Sequence, residues 1–123
     1  IIGLSLLTIG NFLGGVWANE SWGRYWGWDS KESWSYITII VYAIVLHLRF
    51  IPKLRGVFAF LTASVLSFAS VLFTYFGVNF YLSGLHSYAN GESFGISGVI
   101  YLILAALALL IALAYRGRDI KVV

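Results

Sequence analysis

Val57-Phe-Ala-Phe-Leu-Thr-Ala-Ser-Val-Leu-Ser-Phe-Ala-Ser-Val-Leu-Phe-Thr-Tyr-Phe-Gly-Val-Asn-Phe-Tyr-Leu82 carries no acidic or basic side chain. As a helix it would be about 39 Å long at 1.5 Å per residue, enough to cross a hydrocarbon core of roughly 30 Å. Two further stretches, Trp34–Leu48 and Gly98–Tyr115, are comparably apolar once the first is extended by its flanking residues. Ile1–Val16 is apolar too, but at about 24 Å it falls short of a full span. Charged residues make up 11% of the chain, against about 25% in soluble domains, which sets aside a soluble globular fold. The expected fold class is all-α: a polytopic transmembrane helical bundle with a Trp-rich outer segment. Its helices are expected at about 1–16, 30–50, 56–81 and 97–116, in a single unit over 1–123. The chain begins with Ile and contains no Met, and reads as the C-terminal piece of a longer protein. Ile1–Val16 lacks the basic start and small-residue cleavage site of a signal peptide. With no Cys, disulfides and thiolate metal ligands within this chain are excluded.

Charge supplies the orientation. Arg49, Lys53 and Arg55 follow the second helix, and Arg116, Arg118 and Lys121 follow the last. Only Arg24 and Lys31 lie on the other side, with Glu20, Asp29, Glu32 and Glu92. Lys and Arg collect in short cytoplasmic connections, so 48–56 and 116–123 are expected inside, and 17–33 and 82–97 outside. Pro52, which lacks an N–H and disfavours helix at Ile51, is expected to end the second helix. Gly10 and Gly14, and the stripe Ser64, Ser67 and Ser70, read as helix-packing devices in lipid.

Trp17-Ala-Asn-Glu-Ser-Trp-Gly-Arg-Tyr-Trp-Gly-Trp-Asp-Ser-Lys-Glu-Ser-Trp34 holds all five tryptophans. An interfacial aromatic belt explains one or two of them, but not five in one outer segment. Trp22 and Trp26 are four apart, so a helical turn would stack them on one face. Gly23 and Gly27 would let a flat ligand approach the backbone. Together with Tyr25 and Trp28, these residues suit a large planar aromatic ligand. Asp29 and Glu32 have capping-box spacing ahead of an apolar run, Asp29 as N-cap and Glu32 at the third helical position. Arg24 and Lys31 are candidate donors to an anionic ligand group or ordinary interface charges.

The run Trp22-Gly-Arg-Tyr-Trp-Gly-Trp-Asp29 resembles the WWD motif of the heme-handling proteins of cytochrome c maturation. Lys31-Glu32, Leu46-His47-Leu48-Arg49 and Gly84-Leu85-His86-Ser87-Tyr88 follow in order, and the combination is similar to the CcsA (ResC) branch of system II, alone or in the fused CcsBA form. Ser30 stands where that family commonly has Pro. The resemblance implies a heme exporter and cytochrome c heme lyase, or synthase, of the bacterial cytoplasmic membrane. Heme b (iron protoporphyrin IX) would lie at an outward site formed by Trp22, Arg24, Tyr25, Trp26, Trp28 and Asp29. The implied partners are heme, the CXXCH segment of apocytochrome c, the upstream CcsA/CcsB portion of the same protein or complex, and the membrane, with no nucleic acid.

Two histidines complete the candidate set. His86 lies in a polar outer segment, where a lone His is ordinarily solvated; the resemblance implies that it is one axial ligand of the outer heme iron, the second lying upstream of Ile1. His47 lies near the inner end of an apolar helix, where ionisable residues are rare and often functional; the plain reading is a helix-end imidazole on a backbone carbonyl. The resemblance implies a transit site for heme. Two rival readings remain at this stage: a b-type heme electron-transfer subunit, and a non-catalytic structural subunit. The charge division predicts that a Cys introduced at Gly56 escapes an impermeant thiol reagent added outside intact membranes. Labelling of that Cys from outside would overturn the orientation.

Overall fold

The computed structural model describes residues 1–82 and 98–117. His86, Arg118 and Lys121 lie outside the described residues. Helix α1 is Ile2–Trp22, α2 is Ser30–His47 and α3 is Val57–Leu72. A π-helical turn, Phe73–Gly77, joins α3 to the short α4, Val78–Tyr81, and α5 is Gly98–Gly117. No strand occurs among the described residues. Among the described residues, four helical stretches are long and apolar enough to cross a membrane: Ile2–Trp22, Ser30–Phe50, Val57–Tyr81 and Ile100–Gly117.

Each boundary has a local cause. α1 continues past Val16, because nothing in Trp17–Trp22 breaks a helix. It stops where Gly23 adopts φ 71° and donates its N–H to the Asn19 carbonyl at 2.8 Å, a left-handed glycine ending. The connection to α2 is therefore only Gly23–Asp29. At the other end α2 stops at His47, ahead of Pro52, and passes into 3-10 turns at Leu48–Phe50 and Pro52–Leu54. Ile51 between them is extended, at φ −90° and ψ 114°, as a residue before proline should be. Pro52 opens the second turn instead of closing the helix.

Lipid gives no hydrophobic drive between helices, so van der Waals fit and polar contacts must hold the bundle. Three polar contacts fix its antiparallel order. Ser35 Oγ on α2 meets Asn11 Oδ1 on α1 at 2.8 Å. Lys31 Nζ donates to Asn79 Oδ1 on α4 at 2.9 Å. Further along α2, Thr38 Oγ1 donates to the Trp34 carbonyl at 2.9 Å and lies 3.1 Å from Thr74 Oγ1. Thr38 is 2% exposed, so its hydroxyl depends on those partners. α5 meets α3 through Phe58 and Tyr115, whose ring centroids are 5.5 Å apart.

The small-residue expectations need correction. Ser64 and Ser67 return their hydroxyls to the carbonyls of Phe60 and Ala63 on their own helix, and Ser70 bonds the Ser67 carbonyl. The cross-helix hydroxyl is Thr74, not that serine stripe. A Cβ added at Gly10 or Gly14 would meet no described atom within 4 Å, whereas one at Gly15 would lie 3.1 Å from the Tyr25 carbonyl. Close approach therefore occurs at Gly15, and the Gly10/Gly14 pair borders open space.

Thr38→Val is expected to destabilise the inserted protein by about 0.6–1.7 kcal/mol, the range of interhelical hydrogen bonds in membranes. Ser64→Ala, which removes only a bond within one helix, should change it less. Reversible unfolding in bicelles measures both.

Candidate functional site

The connection Gly23–Asp29 is built around one carboxylate. Glu32 Oε2 accepts the Gly27 N–H at 2.8 Å and the Asp29 N–H at 3.2 Å. Asp29 is the N-cap of α2 and forms the reciprocal capping box with Glu32, as its spacing leads one to expect. Between the two held N–H groups, Trp28 has φ 56°. That left-handed conformation is uncommon for a bulky residue and costs on the order of 1–3 kcal/mol. It turns Trp28 outward, 73% exposed.

The five tryptophans do not form one stack. Trp26 lies edge-on to Trp28, with centroids 5.8 Å apart at 88°, and to Tyr36 at 6.3 Å and 81°. Trp22 instead meets Trp17 at 5.0 Å and 83°. Trp34 faces the bundle and lies 4.2 Å from Phe73. The expected Trp22–Trp26 face is not formed, because α1 ends at Trp22 and the Gly23 turn carries Trp26 off its helical path. Edge-to-face contacts satisfy the ring quadrupoles and leave the Trp28 surface open to a ligand.

Arg24 crosses the Gly27 backbone so closely that a Cβ at position 27 would lie 2.8 Å from Arg24 Nε. Gly27 thus leaves room for Arg24 to lie across the backbone between Trp26 and Trp28, and a larger residue there would make the guanidinium shift. Tyr25 is 63% exposed on the same connection, and its carbonyl rests against Gly15. Lys31 spends one of its donors on Asn79. Below Tyr25 and Trp26, a cleft of about 160 Å³ opens between Gly10, Gly14 and Gly15 of α1 and Lys31, Glu32 and Ser35 of α2. Sites that enclose a drug-sized ligand run to about 300–1,000 Å³, so this cleft can admit the edge of a large ligand but not surround it.

His47 stands at the far end of α2, about 25 Å along the helix from Ser30 at 1.5 Å per residue. Its Nδ1 lies 2.6 Å from the Ala43 carbonyl, the backbone pairing of the plain reading. A carbonyl can only accept, so Nδ1–H is the donor there; the contact leaves Nε2 pointing away from the backbone, the way metal-ligating histidines are oriented by their second nitrogen. The Phe50 ring lies 5.7 Å away. A cavity of about 400 Å³, lined by Leu4, Leu7, Tyr42, Leu46, Phe68 and Val71 among others, occupies the same half of the bundle. The structure thus brings Arg24, Tyr25, Trp26, Trp28 and Asp29 together, places Trp22 with Trp17, and holds His47 apart. Sequence reasoning missed Tyr36, Asn11, Ser35 and Asn79. The usable signal was the presence of Asn11 and Asn79 inside otherwise apolar helices.

These features define a class: a polytopic helical membrane protein with an exposed aromatic and cationic surface at one end and an imidazole at the other. Within that class, the chain belongs to the cytochrome c assembly family, whose model matches residues 1–86. It is of the CcsA type. Over 92 residues it is 63% identical to protein NrfI of Wolinella succinogenes, covering 75% of this chain and 10% of that protein. It is 51% identical over 92 residues to the cytochrome c biogenesis protein CcsA of Nicotiana tomentosiformis, covering 75% of this chain and 29% of that one. It is 52% identical over 89 residues to CcsA of Panax ginseng, covering 72% and 28%. The chain therefore spans less than a third of the length of each of these relatives.

Glu32→Ala is expected to release both backbone N–H groups and lower stability by about 1–3 kcal/mol. Glu32→Gln, which keeps an acceptor oxygen, should cost less. Trp28 fluorescence in a variant lacking the other four tryptophans would report the loosened turn as increased quenching in the alanine variant. Equal quenching in both would contradict the role given to Glu32.

Proposed function

We propose that this chain is the part of a cytochrome c assembly protein that presents heme at the tryptophan end for attachment to apocytochrome c. Membership of the family supports a role in cytochrome c biogenesis. The observation that carries the finer reading is the pinned, outward Trp28 beside Trp26, Tyr36 and Arg24.

Heme b is cargo in this reading. Its face would rest on the Trp28 side of the cluster, where aromatic and apolar contact offsets desolvation. The Arg24 guanidinium would pair with a propionate through charge-assisted hydrogen bonds, and Tyr25 and Asp29 would border the same surface. His86 would supply one axial imidazole, and a histidine elsewhere in the longer protein the other. His47, with Nε2 available, would meet heme earlier, on its way from the basic side. The tryptophan end would face outward, across the bacterial cytoplasmic membrane from the basic connection. Attachment joins each cysteine sulfur of CXXCH to a heme vinyl carbon while the thiol proton passes to the neighbouring vinyl carbon. No group of this chain is assigned as acid or base in that step: its residues hold and orient the macrocycle. The interfacial-belt reading is retained for Trp17 alone, with Trp22 as its edge-on neighbour.

The test uses the full-length protein. Replacing Trp26 and Trp28 together by Ala should lower heme per folded protein by at least about tenfold, taking roughly 1–3 kcal/mol per aromatic stacking contact as the scale. Trp22→Ala should lower it less. His47→Ala should lower loading from cellular heme yet accept heme added from outside as the parent does. Full heme occupancy in the Trp26/Trp28 double variant would reject the platform.

A further inference from the structure

The π turn Phe73–Gly77 is where the longest of the four apolar spans, Val57–Tyr81, departs from an α-helix, and the reason lies on α2. Lys31, Trp34 and Thr38 are spaced by three and four, so they share one helical face. Each meets a residue at or beyond the turn: Lys31 meets Asn79 at 2.9 Å, Trp34 meets Phe73 at 4.2 Å, and Thr38 meets Thr74 at 3.1 Å. Thr74 and Asn79 are five apart. On a regular helix that spacing would swing Asn79 well away from the side that carries Thr74; a turn with i→i+5 bonding admits the extra residue. Such turns are rare and recur at functional sites. Gly77 is buried within it, and a Cβ there would lie 2.7 Å from the Phe73 ring, the ring that packs on Trp34. The turn, its glycine and its two polar partners thus form one unit.

We infer that Asn79 is a positioning residue: the π turn rephases it onto Lys31, and this contact fixes the height and rotation of α4 against the start of α2. Lys31 adjoins Glu32, which holds the Trp28 turn. Asn79 therefore sets α4 against the connection that carries Trp28 without touching heme. The inference rests on the proposed heme reading.

Full-length protein carrying Asn79→Leu, Asn79→Asp, Lys31→Leu and the Lys31→Leu/Asn79→Leu pair is assayed for heme release and Soret position per folded protein. Asn79→Leu is expected to release heme about tenfold faster, the scale of a charge-assisted hydrogen bond, and to shift the Soret band. Asn79→Asp, which keeps an acceptor for Lys31, should return both toward the parent, and the double variant should be no worse than either single. Parent-like release in Asn79→Leu, or additive losses in the pair, overturns the inference. If the leucine variant does not accumulate, Asn79→Ala takes its place with the same criterion. A parent protein that holds no heme overturns the heme reading instead; the contact is then judged by the same cycle on thermal unfolding, where additivity overturns it and coupling supports it.

Discussion

Everything at the tryptophan end hangs from the Glu32 carboxylate. The chain must leave α1 at Trp22 and enter α2 at Ser30 within a few residues. Backbone N–H groups near an apolar phase are costly if left without partners. One oxygen of Glu32 serves Gly27 and Asp29 at once. With both neighbours held, Trp28 takes the left-handed conformation that its own side chain disfavours. The strain is local, and its result is an indole turned away from the bundle.

The bundle beneath supplies a second constraint. In lipid, apolar side chains gain little by meeting one another, so geometry rests on a few polar contacts. Asn11–Ser35 joins α1 to α2, while Lys31–Asn79 and Thr38–Thr74 join α2 to the far end of α3 and α4. These contacts lie in the half nearer the tryptophans. The opposite half holds the larger apolar cavity and His47. An end fastened by polar contacts suits the holding of a ligand, and an apolar cavity suits its passage, which is the division of labour proposed here.

Much of this was legible in the residues. Uninterrupted apolar length marks the spans, since a bilayer sets a minimum that few soluble helices meet. The Asp29/Glu32 spacing announced the start of α2, because a capping box is a purely local device. The end of α1 was harder to place: Trp17 and Trp22 look like outer-segment residues by type, yet helix continues until Gly23 provides a left-handed stop. Stacking of Trp22 on Trp26 assumed helix across that same glycine. Gly10 and Gly14 matched a packing pattern that no described residue fills, while Gly15, outside the pattern, made the close approach. The π turn was invisible because no residue type demands one; it follows from where Lys31, Trp34 and Thr38 stand on the neighbouring helix. Sequence periodicity describes one helix at a time, and such features arise only between two.

The account predicts that heme held at this end has imidazole ligation, with His86 as one ligand. The optical spectrum of the purified full-length protein, compared with that of His86→Ala, tests this most directly. Neutral imidazole is a strong iron ligand, so the parent should show six-coordinate low-spin heme and the variant should lose that signature. A parent without heme absorbance, or a variant with an unchanged low-spin spectrum, would contradict the account.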